Sequence, residues 1–317
     1  MSRLLVEKGN ACLPIRATEI SNPTVKANPN TVMRFKDANG CVAYSRRLTG
    51  PGAAERIKKE VHALTLAQAR LTGHQDLNSP RLIDFSVQQG YVLASEVQGL
   101  SILSNQEPLS HIEREEFVRN TGRCLGLLHD ISGGEVAPFN MSTRITFLKN
   151  TTKETPFKDE YSRIVGLLEQ LHNQVRGSTA RFGFVHGDVN VGNILIDESS
   201  VGIIDFEFAH QGWQMGDVAS YLLRLELVQS STGNGSKDAG ILSNDDRLAF
   251  AAGYGLDPAE QPEFGIMLLF EVTKMLLNAP TSLTKANRGR QKRLKQTADA
   301  VLEKRTTDLS QIIFGTQ

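Results

Sequence analysis

His186, Asp188 and Asn193 lie together in FVHGDVNVGNILID (184–197), and a second aspartate, Asp205, follows in IIDFEF (203–208). Their neighbours are valine, isoleucine and phenylalanine, types that favour strands. Burying a charged group among such residues is costly unless it is paired or metal-bound. Asn193 comes five residues after Asp188, and Asp205 twelve after Asn193. If Asn193 opens one strand of a hairpin and Asp205 closes the other, the turn DESS (197–200) folds the two together. Converging hard oxygen donors suit Mg²⁺, which takes few protein ligands and completes its shell with water and phosphate oxygens. Asp188, on the loop ahead of the first strand, is free to face a substrate hydroxyl. In phosphoryl transfer such an aspartate orients the nucleophile and accepts its proton, while metal neutralises the moving phosphate. His186, in the same catalytic loop, reads as a hydrogen-bonding residue that fixes the loop rather than as a base.

The elements that must position these residues fall into two groups. NTVMRFKD (30–37) and CVAYSRRL (41–48) alternate apolar and polar residues around ANG (38–40), a hairpin pattern. GPGAAERIKKEVHALTLAQARL (50–71) changes to helical spacing, with Ile57, Val61, Leu64 and Ala67 on one stripe. RLIDF (81–85) and YVLASEV (91–97) are two more strands. Beyond about residue 110 the pattern turns helical. EREEFVRNTGRCLGLLHDI (113–131) directs Phe117, Cys124, Leu125 and Leu128 inward, and EYSRIVGLLEQLHNQV (160–175) is a second amphipathic helix. DVASYLLRLEL (217–227) starts another, with Asp217 placed to cap it. SSTGNGSKDAG (230–240) is a solvated loop by composition, and EFGIMLLFEVTKMLL (263–277) is helical again. The expected fold class is α+β, with a small antiparallel-sheet lobe and one helix in residues 1–97, and a larger, mainly helical lobe in 98–317.

HGDVNVGN followed by IIDFE resembles the catalytic loop and metal-binding segment of the aminoglycoside phosphotransferase and choline kinase family, relatives of protein kinases whose loop reads HxDxxxxN. LGLLHDI (125–131) is similar to the Leu-His signature that closes a helix ahead of that loop. GDVASYL (216–222) is similar to the helix start after it, and YVLASEVQG (91–99) to the hinge strand between lobes. The resemblance implies a bilobal protein-kinase-like fold and an ATP- and Mg-dependent transfer of the γ-phosphate to a small-molecule hydroxyl. It also implies Asp188 as base, Asn193 and Asp205 as Mg²⁺ ligands, and the backbone of Ser95, Glu96 and Val97 against the adenine ring.

Two features depart from that pattern. Protein kinases hold the α and β phosphates with a strand lysine paired to a helix glutamate, and VAYSRR (42–47) has no lysine. Arg46 or Arg47 is the substitute; strand alternation lets only one face the cleft, and Arg46 is favoured. Glu60 is the expected helix partner, its alternative being a plain surface acid. ISNPTVKANPN (20–30) offers no Gly-rich phosphate loop, which leaves Ser21 and Asn22 as possible phosphate donors. Glu207 stands where protein kinases have the glycine of Asp-Phe-Gly. It either adds a metal or substrate contact or orients Asp205.

The rest of the chain bounds the partners. Lys and Arg together number 35, equal to Asp plus Glu, so no global charge draws the protein to nucleic acid or an anionic membrane. GIMLLFEVTKMLL (265–277) is cut by Glu271 and Lys274 and is too short to span a bilayer. No secretory pattern is evident at the start, and Cys12, Cys41 and Cys124 are dispersed without metal-ligand spacing, so a reducing cytoplasmic setting is expected. The expected partners are a nucleotide and a small hydroxyl substrate. From Arg247 onward seven acids face ten Lys and Arg, which disfavours a polycationic aminoglycoside. DFEFA (205–209) resembles the choline and ethanolamine kinase version, and a quaternary ammonium wants an aromatic cage, for which Trp213, Tyr221 and Tyr254 are the candidates. A neutral sugar or amino-alcohol hydroxyl fits equally. KANRGRQKRLK (285–295) is expected to be a solvated helix face. The competing readings are a protein kinase and a catalytically silent nucleotide-binding module.

Overall fold

The computed structural model describes residues 30–36, 42–104, 109–131, 133–198, 200–229, 241–281, 285–303 and 313. Strands β1 (Asn30–Lys36) and β2 (Val42–Leu48) form the expected antiparallel hairpin, from Asn30 opposite Leu48 to Lys36 opposite Val42. Helix α1 (Ala53–Leu71) follows, burying Ile57, Ala63, Leu64, Ala67 and Leu71, while Val61 is only half-buried. Next come β3 (Leu77–Asn78), β4 (Leu82–Ser86) and β5 (Tyr91–Ser95). Pairing of β2 with β5, and of β5 with β4, gives a four-stranded antiparallel sheet in the order β1-β2-β5-β4.

After β6 (Leu100–Ser101), helix α2 (His111–His129) starts two residues ahead of the sequence expectation. Ser110 and Glu113 form a capping box there, each side chain accepting the other's backbone N–H, which satisfies donors the helix leaves open. Strand β7 (Val136–Pro138), helices α3 (Ser142–Asn150) and α4 (Lys158–Val175), and strand β8 (Thr179–Val185) follow. Strands β9 (Ile194–Asp197) and β10 (Ser200–Ile203) form the hairpin expected around DESS, pairing Ile194 with Ile203 and Asp197 with Ser200. β6 and β3 flank this hairpin in a second sheet, order β3-β10-β9-β6, so its parallel β3–β10 pairing ties the first part of the chain to the second.

The remaining elements are β11 (His210–Trp213), α5 (Met215–Gln229), α6 (Asn244–Tyr254), α7 (Phe264–Leu277) and α8 (Lys285–Glu303). β11, β8 and β7 make a third, antiparallel sheet. Helix α7 is buried on nearly every side and packs against α4, α5 and α8, as an apolar-all-round helix must. Cys124 is fully buried, and burial pushes its thiol up to about 12, which makes it inert. Among the described residues no helix is long and apolar enough to cross a membrane.

Candidate active site

The loop after β8 is shaped by two braces. Gly187 sits at φ 82°, and a Cβ there would collide with the Phe208 carbonyl, so the turn past the segment after Asp205 demands glycine. The His186 ring is the first brace. Its Nε2 donates to the Ile204 carbonyl at 2.9 Å, and its Nδ1 accepts the Asp188 N–H at 3.3 Å. Burial pushes the imidazole below its ordinary pKa, so it stays neutral and both ring nitrogens serve the backbone. The second brace is Asp217. Its Oδ2 accepts the His186 N–H at 2.6 Å, and its Oδ1 accepts the Gly187 N–H at 2.9 Å. His129 Nε2 lies 3.0 Å from Oδ2, and His129 Nδ1 meets the Tyr254 hydroxyl at 2.9 Å. Burial alone would raise the Asp217 carboxyl, but these donors hold it below its ordinary value. Asp217 therefore does not cap its own helix. Because α5 begins at Met215, Asp217 falls inside the first turn and its carboxylate reaches the preceding loop.

Held this way, the loop and the hairpin bring the candidate residues together. Asn193 Nδ2 donates to the Asp188 carbonyl at 3.0 Å and lies 3.4 Å from Asp188 Oδ2. The Ile204 N–H donates to the Asn193 carbonyl at 3.0 Å, so Asp205 emerges next to Asn193. Asp205 itself has φ 70°, a left-handed conformation that a non-glycine residue keeps only where its surroundings impose it.

Across the cleft, Arg46 extends from β2. Its Nη2 donates to Asp205 Oδ1 at 2.6 Å and its Nη1 to Glu207 Oε2 at 2.7 Å. Glu60 Oε1 is 3.9 Å from the same Nη1, so the helix glutamate is the more distant of three carboxylate partners. Arg47 is exposed. Glu207 also lies 3.7 Å from Arg56, one turn before Glu60 on α1. Burial pushes the Glu60 carboxyl up to about 7, with Arg46 opposing and the charges of Asp205 and Glu207 adding. Burial would lower Arg46, but the three acids hold it above its ordinary value.

At the hinge, the Ser95 N–H donates to the Arg81 carbonyl at 2.9 Å and the Glu96 N–H to the Val42 carbonyl at 3.0 Å. Both donors are committed to the protein. Val97 lies over Gly202 of β10, where a Cβ would collide with Val97 Cγ1. Ser21 and Asn22 fall outside the described residues.

Two cations escaped the sequence reading. Arg224 on α5 has Nη2 3.7 Å from Asp188 Oδ1, and its Nε donates to Ser220 Oγ at 3.2 Å. Its signal is spacing, since it follows Asp217 by two helical turns on the same face. Arg56 carries a similar signal, four residues ahead of Glu60. The aromatic cage is not formed by its three candidates. Tyr221 and Tyr254 are buried against Phe250, and Trp213 packs edge-on against Phe139 and Phe182. The two tyrosines belong to the core, and Trp213 is half-buried against it. Among the described residues no group of three or more His, Cys, Asp or Glu side chains could hold a metal. A cation bound here would have to keep water or phosphate ligands.

The sequence model of the phosphotransferase enzyme family matches residues 26–259. Among solved structures, the chain is similar to a choline/ethanolamine kinase family protein from Mesorhizobium loti, at 14% identity over 94% of both chains with a TM-score of 0.58. It is also similar to the GDP complex of wild-type aminoglycoside 2'-phosphotransferase-IIIa, at 16% identity over 89% of this chain and 94% of that one, TM-score 0.57. A third is amicoumacin kinase hAmiN in complex with AMP-PNP, Ca²⁺ and Ami, at 14% identity over 86% and 87%, TM-score 0.56. No curated protein sequence matches the chain. At these identities the likeness shows the fold, which is bilobal and protein-kinase-like.

Proposed function

The chain belongs to the phosphotransferase enzyme family, and on that premise we propose that it moves the γ-phosphate of ATP to a hydroxyl of a small molecule, with Asp188 as the base. What supports this reading is the convergence of Asp188, Asn193 and Asp205 on one side of a cleft whose other side presents Arg46. Asp188 accepts the acceptor's hydroxyl proton as the oxygen attacks the γ-phosphorus. The bond from that phosphorus to the β–γ bridging oxygen breaks, and ADP leaves. His186 and Asp217 take no proton in this scheme; they fix the loop so that the Asp188 carboxylate keeps its aim.

Mg²⁺ would be held by Asn193 and Asp205, where it supplies charge neutralisation on the phosphates. The donor set fits. The Asn193 amide nitrogen is committed to Asp188, which leaves its oxygen as the ligand end, and Asp205 already draws a cation in the form of Arg46. In the nucleotide complex Arg46 turns from Asp205 to the α and β phosphates, taking the part of the missing lysine. Glu207 and Glu60 remain to position it. The adenine edge meets the hinge through the Val97 N–H and the hinge carbonyls, since Ser95 and Glu96 have spent their donors. Residues up to Val97 make the nucleotide side, and those from Gln98 the catalytic and acceptor side.

The test is ADP release from MgATP with amino alcohols, sugars, aminoglycosides and hydroxy acids offered as acceptors. Acceptor-dependent release supports the proposal. MgATP binding without turnover on any acceptor would point instead to a silent nucleotide-binding module, and labelling of protein to a protein kinase.

A further inference from the structure

The cation beside the base says something about what the base meets. The two oxygens of Asp188 face different groups, with Oδ2 3.4 Å from the Asn193 amide and Oδ1 3.7 Å from the Arg224 guanidinium. Asn193 belongs to the side that would hold metal and phosphate, and Arg46 already serves that side as its cation. Arg224 approaches the other oxygen, from α5. At 3.7 Å its Nη2 is too far for a hydrogen bond to Asp188. The one hydrogen bond it makes among the described residues, Nε to Ser220 Oγ, aims the guanidinium without closing its fork. No other carboxylate among the described residues lies within ion-pair distance of it, and its side chain keeps 28% of its surface exposed. A guanidinium fork oriented by its Nε, open at its outer nitrogens and beside the reacting carboxylate, matches a substrate carboxylate in shape and charge. The same guanidinium repels an ammonium placed against Asp188, and the two tyrosines that might have held one are buried in the core.

Building on the phosphotransferase reading, we propose that Arg224 makes the acceptor pocket an anion site, and that the acceptor is a hydroxy acid whose carboxylate pairs with Arg224 while its hydroxyl meets Asp188. The spacing limits the class further. A hydroxyl hydrogen-bonded to Oδ1 lies about 2.7 Å from it, and the guanidinium is 3.7 Å from the same oxygen. Only a carboxylate on the carbon bearing the hydroxyl, or close along the chain from it, reaches both.

Matched acceptor pairs test this, namely glycerate against glycerol and gluconate against sorbitol, with ethanolamine, choline and kanamycin alongside, each read by ADP release from MgATP. In the wild-type protein at least one acid is expected to exceed its neutral counterpart in kcat/KM by on the order of 10- to 100-fold, chiefly through KM. Arg224→Gln is expected to bring that ratio close to one, and Arg224→Lys to keep part of it. Preference for ethanolamine, choline or kanamycin overturns the proposal and leaves the phosphotransferase reading standing. So does an Arg224→Gln variant that lowers acid and neutral acceptors by the same factor, which would place Arg224 at the phosphate. If no acceptor releases ADP, calorimetry of the same acids with MgADP-loaded protein decides. Binding that Arg224→Gln abolishes upholds the anion site and rejects the transfer reading, whereas no binding of either acid overturns the anion site.

Discussion

Replacing Asp217 with Asn isolates the brace beneath the catalytic loop. The carboxylate accepts from the His186 N–H, the Gly187 N–H and His129 Nε2, and it is 3% exposed. An amide of the same shape keeps one acceptor oxygen and turns an NH₂ toward the remaining donors. Hydrogen bonds to a charged group contribute about 1.5–3 kcal/mol, and a buried donor left unpaired costs about 1–3 kcal/mol. Taken together, a loss of about 3 kcal/mol is expected. For a chain of 317 residues that lowers Tm by roughly 4–5 °C. The protein has one tryptophan, Trp213, on the strand paired with β8, so its fluorescence reports unfolding next to the loop. The pH dependence has a fixed sign. The folded Asp217 pKa is lowered, so its contribution is complete above the unfolded value and is lost as pH falls through the folded one. Asp217→Asn should flatten that acid limb and also reduce turnover, because the backbone carrying Asp188 loses its anchor. A variant with Tm within a degree of wild type and unchanged turnover would refute the brace.

Two further predictions concern the other side of the cleft. Glu60 is held at about 7, above its unfolded value, so its stabilising contribution is complete below that unfolded value and fades as pH rises through about 7. Thermal scans of the free protein from pH 5 to 8 should show that loss, and Glu60→Gln should remove it; parallel curves for the two proteins would mean Glu60 is not the titrating group. Gly202→Ala forces Val97 off its seat on β10, and a β-branched side chain has few other rotamers. Overpacking of this kind costs about 1–3 kcal/mol, and calorimetry should show MgATP binding weakened on the order of tenfold; unchanged affinity would place the adenine elsewhere.

Much of this arrangement was legible in the sequence, for identifiable reasons. The hairpins 30–48 and 194–203 announce themselves by alternation around a turn, and α1, α2 and α4 by apolar stripes. Asp188, Asn193 and Asp205 could be grouped because the β9–β10 hairpin is local, so spacing along the chain converts directly into proximity. Strand alternation separated Arg46 from Arg47 in the same way. Contacts from distant elements left less trace. Asp217 serves a loop 30 residues earlier, and it resembles a helix cap in sequence because both tasks ask a carboxylate to accept backbone N–H groups. The aromatic residues 213, 221 and 254 give no sequence sign of which way they face, and packing buries the two tyrosines in the core and leaves Trp213 half-buried against it. Among the described residues, strands β7, β8 and β11 pair only with one another across long separations, and α3 is a short helix with two buried residues, so neither leaves a strong periodic mark.

The most direct test of the central claim is acceptor-dependent ADP release by Asp188→Asn, set beside its MgATP affinity measured by calorimetry. Removing the base should lower kcat by on the order of 10²–10⁴-fold. MgATP affinity should stay within about threefold, since Asp188 acts on the acceptor's proton and not on the nucleotide. Turnover equal to that of the wild-type protein would contradict the assignment of Asp188 as the base.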